Sequence, residues 1–145
     1  KTKDSTMATF NKFNQFVADI ANKVHNLGSD TLKVGLTNTA PVATNTQYSN
    51  ITEIGAGNGY TAGGNTATVT SSAQTSGTYK LIASNVTFTA SGGSIGPFRY
   101  AVLYNATPAN QNLIGWYDYG TSLTITAGNS FQVQFDAVNG VLQLA

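Results

Sequence analysis

The sequence predicts a mainly β protein: an antiparallel β-sandwich or partly closed barrel of about eight short strands behind one N-terminal amphipathic α-helix. Three observations lead there. Beyond Gly28, short β-branched and aromatic runs alternate with polar residues and are punctuated by Gly and Asn, the pattern of half-buried strands joined by tight turns. Before Gly28, the apolar residues recur at steps of three and four instead, the period of one helix face. The chain has 145 residues, 41% of them hydrophobic, with seven Phe, seven Tyr and one Trp. That is enough to fill one core without metal or disulfide, and a chain of this length buries about 70% of its unfolded surface.

The elements follow in order. Lys1–Ala8 is expected to be a flexible extension, because Met7, the sole methionine, suits an initiator. Phe10, Phe13, Phe16, Val17, Ile20, Val24 and Leu27 form one apolar stripe, predicting a helix over Thr9–Leu27. Ser5, Thr6 or Thr9 would supply the N-cap hydroxyl, Lys23 and His25 the cations of the last turn, and Gly28 the C′ residue. The sandwich then occupies residues 31–145 of a single domain, 9–145. Its strands are expected at Leu32–Leu36, Thr66–Ser71, Lys80–Ala90, Phe98–Tyr104, Leu113–Tyr119, Ser122–Thr126, Ser130–Asp136 and Val141–Leu144. Ile51–Ile54 supplies a short apolar pair that docks on the sheet. Phe98–Tyr104 is the most apolar run and belongs at the centre. Asn139-Gly140 signals a hairpin between the last two strands.

Charge is scarce. Asp, Glu, Lys and Arg make up 9% of the chain, against about 25% in a typical soluble protein. Thr, Asn, Ser, Gln and Gly take their place. Neutral hydroxyls and amides lose less on desolvation than ammonium and carboxylate groups, so this surface is suited to being covered by another protein. The net charge of +1 comes from scattered cations, which excludes a nucleic-acid footprint. No run approaches the ~20 apolar residues of a membrane-spanning helix. The absence of Cys excludes thiol and Fe–S chemistry.

The motifs that bear on chemistry are few. Gly55-Ala56-Gly57-Asn58-Gly59 lacks the Gly-Lys-Ser/Thr of a phosphate loop and is read as a flexible turn. His25, the only histidine, has neither a nucleophile nor a second metal ligand in its sequence neighbourhood and is read as a helix-end residue. The six acids offer no pair recognisable as a glycosidase dyad. Asp118 lies among Trp116, Tyr117 and Tyr119, the one arrangement resembling a sugar-stacking surface. Strand alternation, however, sends Trp116 and Asp118 to one face and Tyr117 and Tyr119 to the other. No catalytic residue, cofactor or metal site is expected.

Several segments carry a resemblance. Leu32-Lys33-Val34-Gly35-Leu36-Thr37-Asn38-Thr39-Ala40-Pro41, Gly57-Asn58-Gly59-Tyr60-Thr61-Ala62-Gly63-Gly64, Gly96-Pro97-Phe98-Arg99-Tyr100-Ala101-Val102-Leu103-Tyr104 and Leu113-Ile114-Gly115-Trp116-Tyr117-Asp118-Tyr119-Gly120 resemble a family of small virion proteins of tailed bacteriophages, over about Phe10–Ala145. The resemblance implies a non-enzymatic structural role, preferentially as a head-decoration (cement) protein on the capsid surface, made in the bacterial host cytoplasm. Its partners would be copies of itself, as a trimer or other homo-oligomer, and a major capsid or other virion protein. The expected contact residues are Thr37, Asn38, Pro41, Asn45 and Tyr48 in one loop, with Gly57, Asn58 and Tyr60 in another. Two alternatives stand beside it: a tail, fibre or self-assembling filament subunit, and a carbohydrate-binding module using Trp116, Tyr117 and Tyr119.

Overall fold

The computed structural model describes residues 8–145. The expected extension and the capping hydroxyls of Ser5 and Thr6 lie outside them, except for Ala8, which packs half-buried against the core. The chain order is β1 (Thr9–Lys12), α1 (Gln15–Ala21), β2 (Leu32–Thr37), a 3-10 turn (Tyr48–Asn50), β3 (Asn65–Ala67), β4 (Val69–Thr75), β5 (Thr78–Ala83), β6 (Val86–Thr89), β7 (Ile95–Asn105), β8 (Leu113–Ile125), β9 (Ser130–Val133) and β10 (Leu142–Leu144). Every strand pairing is antiparallel. The strands form a five-stranded sheet β1-β8-β7-β2-β3, a three-stranded sheet β10-β5-β4 and a two-stranded sheet β6-β9. The packing is that of a sandwich, and the sheets do not close into a barrel.

The inner face of the large sheet meets the two smaller sheets in one apolar core. Val34, Leu36, Leu81, Phe88, Phe98, Leu103, Ile114 and Val133 are all nearly inaccessible there. Strand alternation accounts for this core, since each strand contributes every second residue to one face.

The predicted helix is corrected. Only Gln15–Ala21 is helical, and Thr9–Lys12 is a strand paired with Gly115–Asp118 of β8. Phe10 and Phe13 fit a helical step, but the sheet edge competes for them. Phe10 packs on Tyr117 at 5.2 Å, and Gly115 leaves room for its ring. The helix also stops early. Val24 N–H donates to Asp19 O (2.8 Å) and Lys23 N–H to Ile20 O (3.3 Å), with Lys23 at φ 64°. This is a Schellman stop with lysine, not Gly28, at C′. Val17, expected inside, is 55% exposed, and His25, expected at the helix end, is buried.

Two predicted strands are each split between sheets. Thr66–Ser71 divides into β3 and β4, and Lys80–Ala90 into β5 and β6, so the chain leaves the large sheet at the first and passes between the two smaller sheets at the second. Leu113–Tyr119 and Ser122–Thr126 instead merge into β8, continuous through Gly120. The Asn139-Gly140 turn does not make a hairpin of the last two strands. β9 pairs with β6, β10 pairs with β5, and Asp136 caps the turn by accepting from Val138 and Asn139 N–H, both at 2.8 Å. β7 lies between β2 and β8, the central place its apolarity predicts.

Candidate functional site

The loop that carries the first set of expected contact residues folds over the outer face of the five-stranded sheet. The residues buried there are Phe13, Tyr48, Val102, Tyr104 and Leu113, with Trp116 and Ile51 at the margin. Tyr48 stacks on Tyr104 at 3.9 Å and 18°. Its hydroxyl lies over Gly35, where any Cβ would collide with it, and has no hydrogen-bond partner among the described residues. The nearby Tyr60 hydroxyl accepts from Leu36 N–H and donates to Glu53.

A second loop, residues 53–64, continues the sheet edge that β3 leaves short. β3 covers only Leu32–Val34. Beyond it, Leu36 N–H donates to Tyr60 Oη (2.9 Å) and Ile54 N–H donates to Leu36 O (3.0 Å). Tyr60 in turn donates to Glu53 Oε2 (2.6 Å), which also accepts from Gly63 N–H (2.6 Å). Tyr104 Oη donates to Gly63 O (2.6 Å). Glu53 thus ties the loop together from a half-buried position. Burial, with the Glu53 carboxylate beside it, pushes the Tyr60 hydroxyl up, and burial pushes Tyr104 up to about 12.

Thr37, Tyr48 and Tyr60 are therefore internal supports, and their side chains are not available to a partner. Thr37 is fully buried and donates to Thr52 O (2.5 Å). Asn38, Gly57 and Asn58 remain exposed, and Pro41 and Asn45 are half-buried. The Gly55–Gly59 turn is pinned: Gly57 and Tyr60 exchange backbone bonds at 2.8 and 3.0 Å, and Asn58 Nδ2 donates to Ser94 O (3.0 Å). Sequence reasoning missed Val42, which is 57% exposed. Its neighbour Ala43 accepts from Asn14 N–H (2.9 Å) at the start of α1. That bond ties the Val42 loop to the start of α1.

The aromatic surface does not form. Tyr117 packs against Phe10 and Phe135, and Tyr119 lies edge-on to Phe98 and Phe131 on the inner face. Trp116 points the other way and packs on Phe13 at 4.6 Å. Tyr117 is buried, Trp116 and Tyr119 are half-buried, and the three rings are divided between the two faces of the sheet. Asp118 is held by Arg99 in a two-pronged pair (2.8 and 3.1 Å) and accepts from Gly120 N–H (2.7 Å), which keeps its carboxyl below the usual range.

A buried polar group surrounds His25, and nothing in the sequence pattern marks it. Asn105 Nδ2 donates to Asp30 Oδ2 (2.6 Å) and lies 3.1 Å from His25 Nδ1, so Nδ1 accepts and the neutral ring carries its proton on Nε2. That Nε2 is 3.9 Å from Asp19 Oδ2 and makes no hydrogen bond among the described residues. Asp19 accepts from Gln15 Nε2 (3.1 Å) and Asn112 Nδ2 (2.8 Å). Burial lowers the imidazole pKa, against the opposing pull of Asp19 and Asp30. The group joins the segment 15–30 to the β7–β8 connection, and among the described residues no hydroxyl hydrogen-bonds to the ring. Beside it opens a cleft of about 500 Å³ lined by Ile20, Val24, Leu27, Tyr79, Pro108 and Leu144, among others. Among the described residues, no three His, Cys, Asp or Glu side chains come together to hold a metal. Compared with known proteins, the chain matches no family model, no curated protein and no solved structure.

Proposed function

We propose that this chain is a non-enzymatic structural component of a virion, a decoration protein that binds the assembled head and stabilises it. The observation that carries the reading is where the carboxylates go. Asp19 and Asp30 hold the His25 group, Glu53 holds a loop, Asp118 holds Arg99, and Asp136 caps its own turn. With these acids engaged within the chain, the accessible surface is left largely to Thr, Ser, Asn and Gln, with a few lysines and the exposed Val17, Val42, Val138 and Leu144. Such a surface loses little on desolvation against a partner. The resemblance to small phage virion proteins supplies the partner class: the major capsid protein, together with copies of this chain.

The test is direct mixing. Purified protein added to heads that lack it should bind to saturation and raise the temperature at which the heads rupture. Heads that take up none of it would refute the decoration reading. Filaments formed by the protein alone, without heads, would favour the tail or filament alternative. The carbohydrate alternative is not favoured, because Tyr117 is buried and Trp116 lies on the face opposite the two tyrosines, so the three rings share no surface.

A further inference from the structure

We propose that β4 is a self-pairing edge, at which two copies of this chain join antiparallel about a two-fold axis beside Ala73. The inference rests on the self-assembling part of the proposed function and adds the strand that makes the contact. β4 is the outer strand of its sheet, and among the described residues nothing beyond β5 hydrogen-bonds to the backbone of Val69–Thr75. It is also the longest edge strand among them, with seven residues; β3 and β10 have three, and β1, β6 and β9 have four. Edges are normally blunted by shortness, charge, proline or a bulge. Val69-Thr70-Ser71-Ser72-Ala73-Gln74-Thr75 has no charge and no proline, and its one irregularity lies between Val69 and Ser71.

The register fixes which groups face outward. Ser76 and Gly77, at φ 51° and 82°, make a two-residue turn, and Thr75 pairs with Thr78 across it. Thr75, Ala73 and Ser71 therefore direct their backbone groups at β5, while Ser72 and Gln74 direct theirs away. A second β4 laid antiparallel pairs Ser72 with Gln74 of its partner copy, and Gln74 with Ser72, in four reciprocal hydrogen bonds. Ala73 then faces its own counterpart across the axis, and Ser71 faces Thr75. No like charges meet. The nearest cation, Lys80 opposite Ala73, would sit three strand spacings from its equivalent, roughly 14 Å, beyond the Debye length of about 8 Å at physiological salt. The product is one six-stranded sheet.

Because the chain has no cysteine, a single one at the axis reports the contact. Facing residues of this non-hydrogen-bonded kind have Cα atoms roughly 4.5 Å apart, within disulfide reach. Under copper–phenanthroline oxidation, the full chain carrying Ala73→Cys should convert to a covalent dimer, two thiols losing two protons and two electrons to the oxidant. Ser84→Cys, exposed but off the edge, should stay monomeric. Ala73→Lys should weaken self-association at least tenfold by sedimentation, and in the unmodified chain the Ser72 and Gln74 amides should exchange more slowly as concentration rises. Equal crosslinking at positions 73 and 84, or amide exchange independent of concentration, would overturn the inference. Heads that still bind the chain in that case leave the decoration reading standing, whereas crosslinking at Ala73 with heads ignored leaves the edge standing and removes the decoration reading.

Discussion

Both faces of the five-stranded sheet bury side chains, but they are built by different rules. The inner face is covered by other strands, and its fillers are mostly aliphatic side chains and Phe with no polar atoms to satisfy. The outer face and the edge beyond β3 are covered by loops. The outer-face fillers include Tyr48 and Tyr104, and Tyr60, whose ring packs on Phe88 in the inner core, carries its hydroxyl to the edge, so hydroxyls go inside with the rings. Position on the inner face depends on alternation. Position under the loops depends on which polar group finds which partner. The difference teaches that the strand-covered side is sensitive to shape, and the loop-covered side to hydrogen bonds.

The largest effect is expected on the inner face. Phe98→Ala removes a fully buried ring that meets Tyr119 and Phe131, and should cost about 3–5 kcal/mol in denaturant unfolding. Tyr60→Phe keeps the ring but strips the hydroxyl that serves both Leu36 N–H and Glu53. It should cost about 2 kcal/mol, the penalty of leaving a buried donor unpaired, with faster amide exchange at Leu36.

The same division sets what was legible in the chain before folding. Alternation located β2, β7 and the first half of β8, and separated Trp116 from Tyr117 and Tyr119. It failed at Phe10 and Phe13, because a step of three satisfies a helix face and also the two separate aromatic contacts that the sheet edge and the outer face provide. It failed again at Thr66–Ser71 and Lys80–Ala90, where one β-branched run serves two sheets and only long-range pairing marks the crossing. The bonds from Tyr60 to Leu36 and from His25 to Asn105 join residues 24 and 80 positions apart, so no local pattern announces them.

Smaller effects sharpen the contrast. His25 has its pKa lowered from 6.5 by burial, so the unfolded chain takes up a proton at that site before the folded one does. Stability should therefore be full above about pH 6.5 and fall as acid is added, before the exposed carboxylates titrate. His25→Gln should flatten that part of a stability–pH curve; an unchanged slope would remove His25 as its source. The smallest change is expected at Tyr48. Its hydroxyl makes no close hydrogen bond among the described residues, so Tyr48→Phe should change thermal stability by less than about 1 kcal/mol, well short of the loss expected for Tyr60→Phe.

The measurement that bears most directly on the claim that this surface exists to be covered is a deuterium-exchange footprint of the chain bound to heads at saturation, compared with the free chain. Protection concentrated in residues 38–45 and 57–58 and around Val17, with the inner-face strands unchanged, is the expected result. A bound chain with no protected surface segment, or a chain that stays free in the presence of heads, would contradict it.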